Sequence, residues 1–158
     1  VDRLPEILAF VQDQLSAMKN GTASLEELVV SQDLSRELDG YSVLSPLAVA
    51  AHQLRAQGRN IRMGMRIRYL YVSRGPGVYA WDLPNAPDWK AIDRAQYRKL
   101  ILRAVQEVLQ PMGVTDAILK NWLIGQFGYL APPGFLKTTN PTRQALPLLA
   151  DLKYLRVG

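Results

Sequence analysis

With 158 residues, no cysteine and a single histidine (His52), the chain is long enough for one domain, or one plus a tail. Those counts exclude disulfides, thiolate metal sites and any centre built from several imidazoles of one chain. The net charge of +5 is segregated: residues 1–39 hold eight acids against Arg3, Lys19 and Arg36, residues 40–81 hold six arginines and no acid, and residues 82–158 hold ten basic residues against six acids.

The opening, VDRLPEILAF, lacks the basic-then-apolar order of a signal peptide, and starting on Val1 implies a processed product or part of a longer polypeptide. LPEILAFVQDQLSAMKNG reads as an amphipathic helix. Pro5 suits its first turn, Leu4, Ile7, Leu8, Val11, Leu15 and Met18 recur at helical spacing, and Asn20-Gly21 can close it. Ser24 and Glu27 have capping-box spacing and predict a short helical turn, followed by a brief strand at Leu28 to Val30. SPLAVAAHQLRAQG predicts a second helix, with Ser45 as N-cap, Pro46 in the first position and Gly58 just past the end.

RNIRMGMRIRYLYVSRGPG follows. From Arg62 to Arg68 its alternation predicts a strand, with Arg62, Gly64, Arg66 and Arg68 on one face and Met63, Met65, Ile67 and Tyr69 facing the core. Leu70 to Val72 continue that strand, and Pro76 with two glycines ends it. A Pro-punctuated segment holds Trp81 and Trp89, read as core or interface residues. It leads to a helix from about Asp93 to Leu109, with Tyr97, Leu100, Ile101, Ala104, Val105 and Val108 as its buried stripe and Arg94, Arg98 and Arg103 on its solvated side. Thr115 can cap one more helix through DAILKNWLIGQF, and beyond Gly128 the chain becomes Pro-rich and aperiodic.

The sum is an α+β protein, mainly helical, with helices packed around a small antiparallel sheet and an extended Pro-rich C-terminal tail. No internal repeat, phosphate-loop motif, dinucleotide fingerprint or metal-spaced cluster is present, so the expectation is no metal site and no cofactor in this chain. No apolar run approaches the roughly 20 residues needed to cross a bilayer, so no membrane partner is expected, and the lack of cysteine fits a reducing, cytoplasmic setting. The acid-free arginine block points to a polyanion, of which nucleic acid is the usual one, while charge alone leaves open a basic surface without a partner.

The stretch from Leu25 to Gly77 resembles the thumb region at the C-terminal end of family B DNA-directed DNA polymerases. The matching elements are LEELVV (Leu25 to Val30), Leu38 to Tyr41, the Pro-led helix from Pro46 to Leu54, and the run Gly58, Ile61, Gly64, Ile67 and Tyr69. Ile92, Asp93, Tyr97 and Gly113 match the helix that closes the family pattern. The likeness covers about residues 5–130, which implies a thumb-like domain over 1–130 and a tail over 131–158. GQFGYL (Gly125 to Leu130) is similar to the end of bacterial DNA polymerase II, where a glutamine-led apolar pentapeptide docks on the sliding clamp.

This likeness implies a non-catalytic thumb that grips the primer–template duplex for a separate palm-and-fingers polypeptide, whose aspartates would hold Mg2+. The palm motifs are absent, so this chain alone has no catalytic residues for nucleotide transfer. Its expected DNA contacts are Arg55, Arg59, Arg62, Arg66, Arg68 and Arg74, with Ser31, Gln32 and Arg36 where family thumbs approach the primer strand. Gln126, Phe127, Tyr129 and Leu130 are the implied clamp contacts. The sequence departs from the family where a proline-histidine pair and a helix cation are usual: Pro46-Leu47 and Ala51-His52 stand there instead. In the loop after the strand, often basic, only Arg74 is charged. Two other readings remain: a protein-interaction module working through its C-terminal segment, and a free-standing DNA-binding accessory protein.

Overall fold

The computed structural model describes residues 4–115 and 117. Over that range the protein is α+β: three α-helices, α1 (Leu4–Asn20), α2 (Pro46–Ala56) and α3 (Arg94–Leu109), and one antiparallel sheet of three strands, β1 (Val30–Asp33), β2 (Arg66–Tyr71) and β3 (Val78–Ala80), in the order β1-β2-β3. The chain divides into two compact units. One contains α1 and α3, and the other spans Ala23–Asp93 with α2 and the sheet.

In the first unit α1 packs against α3. Ile7, Val11, Leu15 and Met18 are buried at the spacing expected for one helix face. Thr22 N–H donates to the Ala17 carbonyl, closing the helix at Asn20-Gly21. On α3 the buried set is wider than the expected stripe: Leu102, Gln106 and Leu109 are buried as well, while Ala104 is partly exposed. Arg94 donates to the Lys19 carbonyl at 3.1 Å. Arg98 and Arg103 are partly buried with Nε shielded from water, which corrects the solvated-face reading of this side of α3.

In the second unit the capping signals take effect where the sequence places them. Ser24 accepts from Glu27 N–H at the head of a 3-10 turn, and Ser45 accepts from Ala48 N–H at the head of α2. Leu28 belongs to that 3-10 turn, so the first strand runs Val30–Asp33 rather than Leu28 to Val30. At the end of α2, Gly58 has φ +87 and donates to the Arg55 carbonyl, while Arg59 N–H returns to the Leu54 carbonyl. That pair of bonds is a Schellman closure, and a side chain at Gly58 would oppose its left-handed backbone.

The second strand is shorter than alternation predicts. Arg62 to Met65 form a turn, with Met65 N–H donating to the Arg62 carbonyl and Gly64 at φ +87. A positive φ at the third residue of a four-residue turn requires glycine there, and it stops the pleat before Arg66. Met63 and Met65 are therefore 59 % and 39 % exposed instead of facing the core. SRGPG does end β2, but as a hairpin loop: Val72 N–H meets the Gly77 carbonyl and the chain returns as β3. β3 is only three residues long and lies between glycines and a Trp-Asp turn, too short to show a period.

The register pairs Val30 with Tyr69, Gln32 with Ile67, and Tyr69 with Ala80. Ile67, Tyr69, Tyr71, Val78 and Ala80 are all buried, and α2 packs on β2 and β3. Tyr69 keeps its hydroxyl satisfied by donating to the Gln32 side chain at 3.1 Å. Val72 bridges to Ile92, and the Trp89 indole donates to the Ala23 carbonyl at 2.8 Å, tying both ends of this unit to it.

Candidate nucleic-acid interface

Strand alternation places Arg66 and Arg68 on the sheet face opposite Ile67 and Tyr69, as the sequence predicts. That face is not open along its whole length. Leu70 and Val29, which share it, are buried, so it is accessible only at the end that carries Arg66 and Arg68. Across from them on β1 stand Asp33 and Ser31 respectively. Arg62 sits in the turn leading into this end, and the turn abuts the loop after β1: Gly64 N–H donates to the Leu34 carbonyl, and Met63 N–H to the Glu37 carboxylate at 3.2 Å. Arg36 lies in that loop with its guanidinium 5.3 Å from the centre of the Tyr41 ring, a cation–π contact. Arg59 reaches the same region by donating to the backbone carbonyl of Asp82 at 3.2 Å.

Arg36, Arg59, Arg62, Arg66 and Arg68 thus gather around one end of the sheet. Arg74 does not join them. It is exposed in the hairpin loop that opens after Val72, and at about 3.3 Å per residue that loop begins roughly 20 Å from Arg66 along the strand. Arg55 points from the last turn of α2 to Asp39 at 2.9 Å and contacts His52 Nδ1 at 3.1 Å. Of the two β1 residues expected near a primer strand, Ser31 lies on the open face, whereas Gln32 is turned inward to Tyr69.

The acid-free block does not stay unpaired. Acids from just outside it face three of its six arginines: Asp39 pairs with Arg55, Asp33 with Arg66 at 3.1 Å, and Asp82 with Arg68 at 2.6 Å. The Arg66 guanidinium is held above its ordinary pKa, first by its hydrogen bond to Asp33 and then by the charge of that carboxylate. No local sequence pattern shows these pairs, because they join residues 14 to 33 positions apart. Recognising SRGPG as a hairpin loop would have found Asp82, since the hairpin sets Trp81 opposite Arg68 and brings Asp82 alongside. Arg36, Arg62 and Arg74 form no ion pair among the described residues.

The Arg66–Asp33 pair is solvent-exposed, at 69 % and 57 % of its side-chain surfaces, whereas in the Arg68–Asp82 pair the carboxylate is half-buried. Exposed ion pairs contribute little to folding and exchange readily for another anion. A guanidinium so placed can swap a carboxylate for a phosphate without leaving a buried charge behind. No group of three metal-ligating side chains occurs among the described residues, and no helix among them is long and apolar enough to cross a membrane. Gln126, Phe127, Tyr129 and Leu130, the helix expected after Thr115, and the tail lie outside the described residues. No protein-family model and no curated protein sequence matches the chain.

Proposed function

We propose that the Ala23–Asp93 unit grips the phosphate backbone of duplex DNA, acting as the thumb of a family B polymerase whose palm, fingers and Mg2+ ions belong to a separate polypeptide or segment. The observation that supports the duplex grip is the convergence of Arg36, Arg59, Arg62, Arg66 and Arg68 at the open end of one sheet face, Arg62 through its turn and the others through side-chain contacts. The polymerase setting rests on the order of the sequence motifs from Leu25 to Gly113. Phosphate contacts position a duplex without reading its sequence, which a polymerase needs because it must accept every template.

The test is anisotropy of a labelled duplex titrated with the full chain at several salt concentrations, for the wild type and for R62A/R66A/R68A. Each phosphate contact contributes about −0.9 to the slope of log affinity against log salt, so removing three should flatten it by roughly two to three units. An unchanged slope removes these arginines as the site. Failure of the wild-type chain both to bind duplex and to stimulate primer extension by a palm-containing family B polypeptide overturns the proposal.

A further inference from the structure

The open end of the sheet also carries an aromatic side chain that the duplex grip leaves unused. Trp81 N–H donates to the Arg68 carbonyl, which continues the β2–β3 register by one step and sets Ser31, Arg68 and Trp81 in one row across the sheet. The two tryptophans of this unit differ in role. Trp89 spends its indole N–H on the Ala23 carbonyl, while the indole N–H of Trp81 has no partner among the described residues and the ring is partly exposed.

Charge near the ring is arranged for an anion. Arg68 pairs with the Asp82 carboxylate, while Arg59 donates to the neutral backbone carbonyl of Asp82 and has no ion pair among the described residues, so one positive charge is left over at the residue that follows Trp81. A ring near one uncompensated guanidinium matches a nucleotide, whose base offers a π-face one step from its phosphate. A base inside a duplex is stacked on both sides by its neighbours and has no face to give. An unpaired base does.

The geometry points to Trp81 as a stacking platform for an unpaired base of single-stranded DNA, such as the overhang beyond a gripped duplex, with Arg68 and Arg59 on the adjoining phosphate. The assignment rests on the nucleic-acid reading of this face and adds to it a second ligand form. Stacking is tolerant of sequence, so the platform would accept any base, as the arginines accept any phosphate.

The experiment measures binding of the full chain to two probes, a blunt duplex and an oligothymidylate of about 16 nucleotides, for wild type, W81A and W81F. The expected result is a loss of oligothymidylate affinity of about tenfold or more in W81A, with W81F retaining most of it and duplex affinity unchanged in both. W81F keeps a ring of similar shape and reads out stacking if W81A alone folds poorly. Equal oligothymidylate binding by all three proteins, with duplex binding intact, overturns the stacking platform and leaves the duplex grip standing. Wild-type binding to the duplex but not to oligothymidylate overturns the platform alone, and absence of wild-type binding to both probes overturns both.

Discussion

The most informative stability test concerns Gln53, which nothing in the sequence singles out. Antiparallel pairing of β2 with β3 uses Gly77 and Trp81 for its backbone bonds, so Val78 and Ala80 turn their polar groups toward the free edge of the sheet. Gln53, on α2, satisfies both: its side-chain N–H donates to the Val78 carbonyl at 2.8 Å, and its side-chain oxygen accepts from Ala80 N–H at 2.8 Å. Ala80 is fully buried and Val78 is 4 % exposed, so water cannot readily replace the lost partner. Leaving a buried polar group unsatisfied costs about 1–3 kcal/mol, and two such groups place Gln53→Ala at roughly 2–4 kcal/mol of lost stability. With a urea slope of about 2 kcal/mol per molar, the unfolding midpoint should fall by about 1–2 M.

The variant Q53E adds a sign. Its carboxylate would still accept from Ala80 N–H but would face the Val78 carbonyl lone pair to lone pair, while its protonated form can donate. The folded state therefore raises the pKa of that introduced carboxyl. The penalty is absent below the unfolded pKa and grows as pH rises toward the folded one. Q53E should thus recover stability relative to Q53A on going from about pH 7 to about pH 4, near the ordinary carboxyl range. Circular dichroism against urea at both pH values measures it. A Q53A midpoint within about 0.2 M of wild type, a small fraction of that expected shift, would refute the reasoning, because water would then be reaching both edge groups.

Two further outcomes follow from the geometry of the arginine face. Gly64→Ala meets nothing within 4 Å, so its cost is backbone strain alone at φ +87; about 1–2 kcal/mol is expected by urea titration, with Gly64→Asn losing less. An Ala variant as stable as wild type would mean that the turn adopts another conformation. Asp33→Asn and Asp82→Asn remove the carboxylates that compete with phosphate for Arg66 and Arg68, and each should tighten duplex binding by about 1.5- to 5-fold in an anisotropy titration. Unchanged or weaker binding would show that these two guanidiniums do not meet the duplex.

The helices and their caps were legible because their signals are local. Ser45, Pro46 and Gly58 bracket α2 within fourteen residues, and Asp93 leads directly into α3. The strands were harder because the deciding features are not periodic. Gly64 interrupts an alternation that looks continuous on paper, and that single backbone angle moves the start of β2 from Arg62 to Arg66 and turns Met63 and Met65 outward. β3 leaves no mark in the sequence because three residues cannot establish a period. At the candidate site the arginines were visible as a block without acids, yet Asp33, Asp39 and Asp82 reach them only through tertiary structure. Composition counts charges along the chain, and the fold decides which of them meet.

The division of the chain also has a consequence for the order of assembly. α1 and α3 form one unit, although residues 23–93 lie between them. Bringing together the ends of a flexible loop of about 70 residues costs close to 4 kcal/mol, plus a constant. The inserted unit supplies that closure by itself: the Trp89 indole, four residues before its end, reaches the carbonyl of its first residue, Ala23, and Asp93 N–H reaches the Tyr71 carbonyl on β2. On the ribosome α1 emerges first and waits about 4–15 s for α3 at ordinary elongation rates, with its Ile7, Val11, Leu15 and Met18 stripe uncovered. The sheet and α2 are complete on the chain before α3 is synthesised, so the Ala23–Asp93 unit can close while α1 still lacks its partner.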